Sequence, residues 1–431
     1  MGDCLIGVMV GGITPAQRGV LRQLCQAGRT MGMTVFVFTP QAVDWKNARV
    51  RGQSTGAEGQ WITRLYPLPD AVYNRCFARS GRQYQDQMLA LRALKQHGCE
   101  VINVGLKGKW SVYAALSKRP DLQPHLPETV LYEGPESLLL WFQRHEDAFI
   151  KPVSGSQGKG SAHLSRDPGG GFTVRGRDGR NRAVRLRLEN SAKLSHWIRR
   201  WTGNRKYLIQ EYLNLRTLSG HVFDIRALVQ KSGDGRWQLT GMAVRKGAPG
   251  SSTSNLHGGG SAEPAEPFLR HEYGAKPSGE VIKTLHRLVD VIPPAVEEAF
   301  GRFCELGLDF GVDRQRRVWL LEVNSKPGRA VFRKLGMKEE RLKSVINPLL
   351  YAAYLLKHQR MEKNRASRPN NLMVHGTGRA CDGRSRSAAY SAGCVPCTDC
   401  GHPVPCRNVR TIRLFHKKVY APGPVCTARL G

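Results

Sequence analysis

The chain has 431 residues, 40% of them hydrophobic, which is enough to bury a sizeable core and favours two or three domains. Lys and Arg number 66 against 34 Asp and Glu, and the resulting net charge of +32 attracts nucleotides, nucleic acid or acidic polypeptides. No run of about 18 apolar residues occurs, so we expect no membrane span. The first residues carry Asp3 within a strand-like pattern, so we expect no secretory signal and a cytoplasmic protein.

The first hundred residues alternate apolar strands with amphipathic helices. Gly11 and Gly12 follow the first strand, but the GxGxxG pattern of a dinucleotide site is absent, so this is a tight turn. The pattern predicts a small parallel α/β domain over residues 1–105. Its predicted elements are strands 4–10, 34–38, 71–74 and 100–104 and helices 15–31 and 82–97.

A second domain is expected over residues 106–360, after a helix at 110–118 and a boundary marked by Pro120, Pro124 and Pro127. Two strands flank a glycine-rich turn within 148–164, and the charged stretch from there to Glu189 shows no regular pattern. A Gly- and Ser-rich loop is expected at 247–261. The other predicted elements are helices 191–201, 278–304 and 347–360 and strands 128–130, 207–212, 224–229, 237–244, 306–312 and 318–323.

The glycine-rich turn is the first candidate for chemistry. A strand delivers Lys151, and the turn after it lets backbone N–H groups approach phosphate oxygens without side chains in the way. The Walker pattern GxxxxGK[ST] has no match, and a flexible hairpin turn is the alternative interpretation. The turn residues considered are Ser154, Gly155, Ser156, Gly158 and Gly160.

Gln210, Glu211 and Tyr212 end an apolar strand, where a backbone edge could meet an adenine ring. Farther on, Glu322 and Asn324 lie two apart on a strand and therefore face one side.

An antiparallel partner strand could bring Asp309 beside Glu322 and Asn324. Two carboxylates and an amide suit Mg²⁺, and a buried pair of carboxylates needs a cation. The alternative is a solvated strand end, which the apolar flank Trp319–Leu321 makes less favourable.

Arg226 and Arg245, on neighbouring predicted strands, could clamp a phosphoryl group as charge builds on it, although each alone is more often a surface residue. Asn255 and His257 lie in the loop that follows. His257 could act as a base, but one loop histidine among 13 is weak support for that role.

The order of these motifs over about residues 100–335 resembles the ATP-grasp superfamily, which includes D-alanine ligases, glutathione synthetases and ribosomal-protein glutamate ligases. Lys109-Trp110, His125 to Thr129, Gln210 to Tyr212 and Phe223 to Arg226 are similar to the YheC/YheD family of endospore coat-associated proteins. The resemblance implies an α/β (α+β) ATP-grasp fold with a nucleotide lid at about 148–212. It also implies a preceding N-terminal parallel α/β (pre-ATP-grasp) domain.

The resemblance also implies roles for individual residues. Lys109 and Lys151 would contact nucleotide phosphates under a flexible cover formed by residues 154–161. Arg226 and Arg245 would lie near the transferred phosphate. The adenine pocket would be lined by Gln210, Glu211 and Tyr212, and the metal would be held by Asp309, Glu322 and Asn324.

The loop Ser254-Asn255-Leu256-His257 is similar to the SNLHRGG loop of glutamate-adding ligases, with Gly258 where their arginine stands. Because of this difference, the resemblance does not assign residues that would bind the acceptor substrate.

The implied activity is that of an ATP-grasp ligase. It would use ATP with Mg²⁺ (or Mn²⁺) to activate a carboxylate as an acyl phosphate and would join it to the amine of an amino acid, peptide or protein. Acidic spore-coat proteins are candidate substrates for a bacterial protein associated with the endospore coat. One alternative is a catalytically silent, nucleotide-binding structural coat protein. Another is a non-specific nucleic-acid binder, which only the positive net charge supports.

Residues 361–431 lose all periodicity and hold 12 Lys and Arg against three acids, which predicts a disordered, basic tail. Six of the 11 cysteines lie in this tail, and the odd total argues against a disulfide framework. Cys394, Cys397, Cys400 and Cys406, with His402, offer enough ligands for one Zn²⁺. A lineage-specific or misframed extension is the alternative.

Overall fold

The computed structural model describes residues 4–78, 80–155, 158–248, 254 and 259–366. These residues form three β-sheets with helices packed against them, as the mixed α/β pattern predicted. Asn255, His257 and the cysteines of the tail lie outside the described residues, and so do the tail's predicted disorder and zinc site.

The amino-terminal sheet has the strand order β3-β4-β2-β1-β6-β7, with β5 paired to β4. Strands β2, β1, β6 and β7 are parallel, as the sequence predicts, whereas β3, β4 and β5 add antiparallel pairs that it did not predict. The strands are β1 (Leu5–Met9), β2 (Thr34–Phe38), β3 (Val43–Asp44), β4 (Arg49–Thr55), β5 (Trp61–Pro67), β6 (Ala71–Asn74) and β7 (Glu100–Ile102). The helices are α1 (Pro15–Thr30) and α2 (Gly81–Gln96), and a 3₁₀ helix spans Pro40–Ala42.

Helix α3 (Lys109–Leu116) and a 3₁₀ turn (Gln123–His125) lead into a second sheet, here called the lid sheet. Its order is β12-β11-β10-β9-β13-β8, with all neighbours antiparallel. Helices α4 (Pro135–Trp141) and α5 (Ser191–Thr202) contribute the buried Trp141 and Ile198 to the apolar core on one face. The strands are β8 (Thr129–Tyr132), β9 (Asp147–Pro152), β10 (Ala162–Arg166), β11 (Phe172–Arg177), β12 (Ala183–Leu188) and β13 (Tyr207–Gln210).

The prediction that the stretch to Glu189 is irregular was wrong, because β11 and β12 form a hairpin there. In β12 arginines alternate with Val184, Leu186 and Leu188, of which Leu186 and Leu188 pack against the core of the lid sheet. The alternation has the period of a half-buried strand, but the charge of the segment concealed it.

The third, central sheet has the order β16-β15-β14-β17-β18 and is antiparallel throughout. The long helix α7 packs Leu285, Leu288 and Ile292 against it in the largest apolar cluster. The strands are β14 (Phe223–Lys231), β15 (Trp237–Lys246), β16 (Ser261–Pro264), β17 (Glu305–Val312) and β18 (Val318–Asn324). The helices are α6 (Ala265–Tyr273), α7 (Ala275–Phe300), α8 (Ala330–Lys334) and α9 (Lys338–Ala366).

The last helix, α9, belongs to the core of the first sheet. Its buried residues Leu349 and Leu356 share an apolar cluster with Ile6 of β1 and Leu24 of α1. Helix α9 is longer than the predicted 347–360, and the division into domains at 105 and 360 stays a prediction. None of the described helices is both long and apolar enough to cross a membrane.

Candidate functional site

A cleft of about 830 Å³ has one wall from the lid sheet and the other from the central sheet. Most residues singled out in the sequence line it, although Ser154 and Gly160 do not, and Ser156 and Asn255 lie outside the described residues. The predicted residues that line the cleft are Lys109, Lys151, Gly155, Gly158, Gln210, Glu211, Tyr212, Arg226, Arg245, Asp309, Glu322 and Asn324.

Lys151, near the end of β9, reaches from the lid sheet toward the central sheet. Its Nζ donates to Gln210 Oε1 at 2.8 Å and lies 3.5 Å from the carbonyl oxygen of Leu321, next to Glu322. Burial lowers the pKa of Lys151 to about 8, with Glu322 opposing the shift and Lys109 adding to it. The Lys151 amine therefore gains and loses its proton only slightly above neutral pH, and it lines the cleft between the two sheets.

Lys109 is the first residue of α3 and follows Gly108, whose φ of +122° suits glycine. Its Nζ donates to the carbonyl oxygen of Gly155 at 2.6 Å and lies 3.4 Å from Glu322 Oε1. One ammonium group thus links the glycine-rich turn of the lid to the carboxylate of the central sheet.

Two carboxylates meet where β17 and β18 pair. Asp309 lies opposite Glu322 in the register, and the Asn324 amide donates to Asp309 Oδ2 at 3.2 Å. The side-chain nitrogens of Arg226 and Arg245 both contact the Asp309 carboxylate. Although burial opposes ionisation, these two guanidinium groups hold the pKa of Asp309 below its ordinary value.

The carboxylate of Asp224, one strand away on β14, is a site residue for which the sequence suggested no role. Arg245 Nε and Nη2 donate to its two oxygens at 2.6 and 2.7 Å, and the Ser254 hydroxyl also donates to it. Burial, with Asp309 nearby, raises the pKa of Asp224. Arg226, Arg245, Asp224 and Asp309 thus form one alternating network of charges across β15, β14 and β17.

The donor set fits a hard divalent cation with few protein ligands. Asp309 is held ionised, Glu322 faces the cleft, and Asn324 donates its amide N–H, so its carbonyl oxygen remains an acceptor. Within the described ranges no cluster of three or more His, Cys, Asp or Glu side chains could hold a metal, and the Asn324 amide is the candidate third oxygen donor beside Asp309 and Glu322.

The strand end predicted to meet adenine makes several bonds within the protein. The Gln210 side chain donates to Thr129 Oγ1 at 2.7 Å as well as accepting from Lys151, and the Glu211 N–H donates to the carbonyl of Glu128 at 2.8 Å. The adenine role of these residues stays a prediction.

The Tyr212 ring also lines the cleft, and it stacks on His163 of β10 with ring centroids 3.6 Å apart. His163 Nε2 lies 2.5 Å from Asp147 Oδ1. This pair was not predicted, because His163 lies on β10 whereas Tyr212 follows β13.

Comparison with known proteins gives consistent matches. The profile described as "YheC/D like ATP-grasp" matches residues 98–355, more than half of the chain. The endospore coat-associated protein YheC of Bacillus subtilis (strain 168) is 26% identical over 340 residues, covering 78% of this chain and 92% of that protein. YheD of the same strain is 26% identical over 344 residues, covering 76% and 73%.

Among solved structures, the D-cycloserine synthetase DcsG is similar with a TM-score of 0.49 and 12% identity, over 82% of this chain and 99% of that one.

Proposed function

Because the chain belongs to the YheC/D-like ATP-grasp family, we propose that it is an ATP-dependent ligase that joins a carboxylate to an amine. The family match confirms the resemblance and the ATP-grasp fold that the order of motifs predicted.

The observation that carries the proposal is the convergence of distant residues on one cleft. Lys109 begins α3, Lys151 comes from β9 of the lid sheet, and Asp309, Glu322 and Asn324 come from β17 and β18. Lys109 lies within 3.4 Å of Glu322, although 213 positions separate them in the chain. Two ammonium groups beside two carboxylates and an amide are suited to a metal-bound triphosphate.

Each group has a distinct task in this proposal. Lys109 and Lys151 hold phosphate oxygens under the glycine-rich turn, and Tyr212 borders the adenine pocket. Asp309, Glu322 and Asn324 would hold Mg²⁺. When bound, Mg²⁺ supplies charge neutralisation to the triphosphate.

The proposed reaction has two steps. A substrate carboxylate oxygen attacks the γ-phosphorus, and the bond from that phosphorus to the β,γ-bridging oxygen breaks, which yields ADP and an acyl phosphate. An amine then attacks the acyl carbon, loses a proton and expels inorganic phosphate. Arg226 and Arg245 stabilise the negative charge on the transferring phosphoryl group, exchanging part of their contact with Asp309 for it.

The acid and the amine are proposed only as classes, namely an amino acid, a peptide or a protein. Association with an endospore coat rests on the names of YheC and YheD. Those names also support the second candidate, a coat component that binds nucleotide without ligating anything.

The test is release of ADP and phosphate by the purified full chain with Mg-ATP and pools of amino acids, peptides or coat extract, with mass spectrometry of the products. We expect substrate-dependent ADP release that falls about a hundredfold or more in Arg226→Gln, the loss typical of a charge-stabilising donor. The exposed Lys334→Gln on α8 is the control and should match the parent chain. Mg-ATP binding with no turnover in any pool would favour the structural candidate.

A further inference from the structure

The side chain of Asn103 joins the first sheet to the end of the β17–β18 pair. Asn103 follows β7 and is fully buried. Its Oδ1 accepts hydrogen bonds from the backbone N–H groups of Cys304 at 2.8 Å and Glu305 at 3.4 Å, where β17 begins. Its Nδ2 donates to the carbonyl oxygen of Ser325 at 3.0 Å, directly after β18 ends. One carboxamide group therefore bridges two neighbouring strands at the end that carries Asn324.

This carboxamide takes the place of the next backbone contact between the two strands. The register of β17 and β18 ends at the pair Gly307 and Asn324. Beyond that pair, the Asn103 side chain lies between the N–H groups that begin β17 and the carbonyl group that follows β18. A carboxamide has the donor and the acceptor of a peptide group, so it satisfies both sides. Its orientation is determined by these partners, because N–H groups lie on one side and a carbonyl oxygen on the other.

The loop after β18 is held in two further places. Arg75, which follows β6, donates from Nη2 to the carbonyl oxygen of Pro327 at 3.3 Å. Pro327 also lies against Gly307, where an added Cβ would be 2.8 Å from the Pro327 Cβ and 3.6 Å from the Asn324 Cβ. Only glycine allows so close an approach. The loop 325–327 is thus packed against the beginning of β17 and held from the first sheet.

Asn103 is itself held in place by a second buried asparagine. Its φ of +63° lies in the left-handed region, which asparagine tolerates better than most residues. Its carbonyl oxygen accepts from Asn74 Nδ2 at 2.8 Å, and Asn74 Oδ1 accepts in turn from Gln87 of α2 at 3.3 Å. Asn74 is fully buried as well. The Asn103 side chain therefore holds Ser325 from a fixed position.

Asn324 is the member of the metal-binding set that depends most on this contact. It is the last residue of β18 and the neighbour of Ser325, whereas Asp309 and Glu322 lie opposite each other farther inside the paired region. The ends of paired elements open more readily than their middles. By holding Ser325, Asn103 keeps the Asn324 amide beside the Asp309 carboxylate, to which it donates at 3.2 Å.

We propose that Asn103 is a positioning residue for the metal site. Its carboxamide holds the end of β18 so that Asn324 offers its amide oxygen to Mg²⁺ together with Asp309 and Glu322. The inference rests on the proposed function, to which the metal-binding role of these three residues belongs. Asn103 does not line the cleft and acts only through the backbone of Ser325. Removal of groups that orient metal ligands lowers metal affinity by about tenfold or more.

The test is the gain in ATP affinity that Mg²⁺ produces, measured by calorimetry of the full chain with and without Mg²⁺. The variant Asn103→Asp keeps the shape of the side chain and the acceptor for Cys304, but it places a carboxylate oxygen against the carbonyl oxygen of Ser325. The gain from Mg²⁺ should fall about tenfold, whereas the affinity for metal-free ATP should stay unchanged.

A second variant and a matched control separate positioning from stability. Asn103→Gly adopts the positive φ without strain and removes the whole carboxamide, so it should lose the same gain without a buried charge. It carries the comparison if Asn103→Asp does not fold. Gln87→Met removes a buried hydrogen bond to Asn74 in the same network but leaves the contact with Ser325 intact. It should lower the urea midpoint and leave the gain from Mg²⁺ unchanged.

Three results would overturn the positioning role. The first is an unchanged gain from Mg²⁺ in the Asn103 variants. The second is an equal loss of the gain in Gln87→Met, because the stability of the network would then be responsible. The third is an equal loss of affinity with and without Mg²⁺, since Asn103 would then act on the nucleotide pocket and not on the metal.

Glu322→Gln separates this inference from the metal assignment. If Glu322→Gln loses the gain from Mg²⁺ and the Asn103 variants retain it, only the positioning role is contradicted. If the parent chain shows no gain from Mg²⁺, the metal-binding set is contradicted and the positioning role with it. The titrations require no turnover, so an absence of ligation would contradict the ligase proposal and leave the role of Asn103 standing.

Discussion

Lys151 is the residue where burial and chemistry are most closely linked. Its pKa is lowered from 10.5 to about 8 because burial disfavours the charged amine. The unfolded chain therefore binds a proton more tightly than the folded chain between about pH 8 and 10.5, and this group destabilises the fold most below pH 8. As the pH rises through that window, the penalty disappears.

A bound phosphate reverses this preference, and this predicts a pH-dependent affinity. Because phosphate favours the protonated amine, Mg-ATP binding should take up a proton near pH 8–9 and weaken by up to about tenfold per pH unit above pH 8. Calorimetry in buffers of different ionisation enthalpy measures both effects. The variant Lys151→Met should bind Mg-ATP weakly and without this pH dependence. Its thermal stability at pH 7 should be no lower than that of the parent chain. The variant Lys193→Met, at an exposed residue of α5, is the control.

Glu322 supplies a carboxylate to the proposed metal-binding set. Replacement by Gln removes one anionic oxygen from the metal-binding set, so Mg-ATP affinity should fall about tenfold or more while metal-free ATP binds as before. Titrations with and without Mg²⁺ make the comparison, and Glu280→Gln, exposed on α7, serves as the reference variant. An unchanged Mg-ATP affinity in Glu322→Gln would contradict the metal assignment.

The sequence allowed part of this site to be predicted. Glu322 and Asn324 lie two apart on a strand, and their shared face follows from strand geometry alone. Asp224 could not be assigned in this way, because its role depends on the register that places it beside Arg245 and on the hydrogen bond that it accepts from the distant Ser254. Local spacing determines which side chains share a face, whereas the pairing of distant strands determines their partners.

Among the elements, the β11–β12 hairpin shows how charge can conceal a strand. Its cleft face is basic and only its other face is apolar, so hydrophobicity over the segment is low. The β4–β5 hairpin was also missed, since many residues of β5 are exposed. In contrast, β1, β2 and β6 are almost wholly buried apolar runs, and their bounds agree with the prediction to within a residue.

Gly176 of β11 provides a prediction for the hairpin. An added Cβ would lie 2.5 Å from the carbonyl oxygen of Ser161 and 2.6 Å from the Ala162 Cβ on β10, so the two strands would have to separate. Gly176→Ala should cost about 1–3 kcal/mol of unfolding free energy, measured by urea denaturation. Gly169→Ala, in the preceding turn with nothing within 4 Å of its new methyl group, should cost much less, and equal losses would rule out this steric reason.

At the scale of the whole molecule, a buried ionic cluster ties the first sheet to the central sheet. Glu305 of β17 is fully buried and accepts hydrogen bonds from Tyr73 at 2.5 Å, Gln230 at 3.1 Å and Arg329 at 2.8 Å, and it also pairs with Arg75. Neutralising the acid would leave two buried guanidinium groups without their counter-charge.

Glu305→Gln should therefore lower the unfolding free energy by about 3–5 kcal/mol, measured by chemical denaturation. Glu100→Gln is the matched comparison, because Glu100 pairs with Arg302 between the same parts of the chain but the arginine side chain is 43% exposed. That change should cost no more than about 1 kcal/mol, and equal costs would show that burial does not determine the contribution of the cluster.

Helix α9 has a consequence for how the protein is made. The first sheet leaves the ribosome early, yet the residues that cover its apolar side, among them Leu349 and Leu356, are translated some three hundred residues later. Until then Ile6 and Leu24 lack part of their final packing. The nascent amino-terminal segment cannot complete its packing until α9 has been made, and it is therefore a natural client for chaperones that shield exposed apolar surface during synthesis.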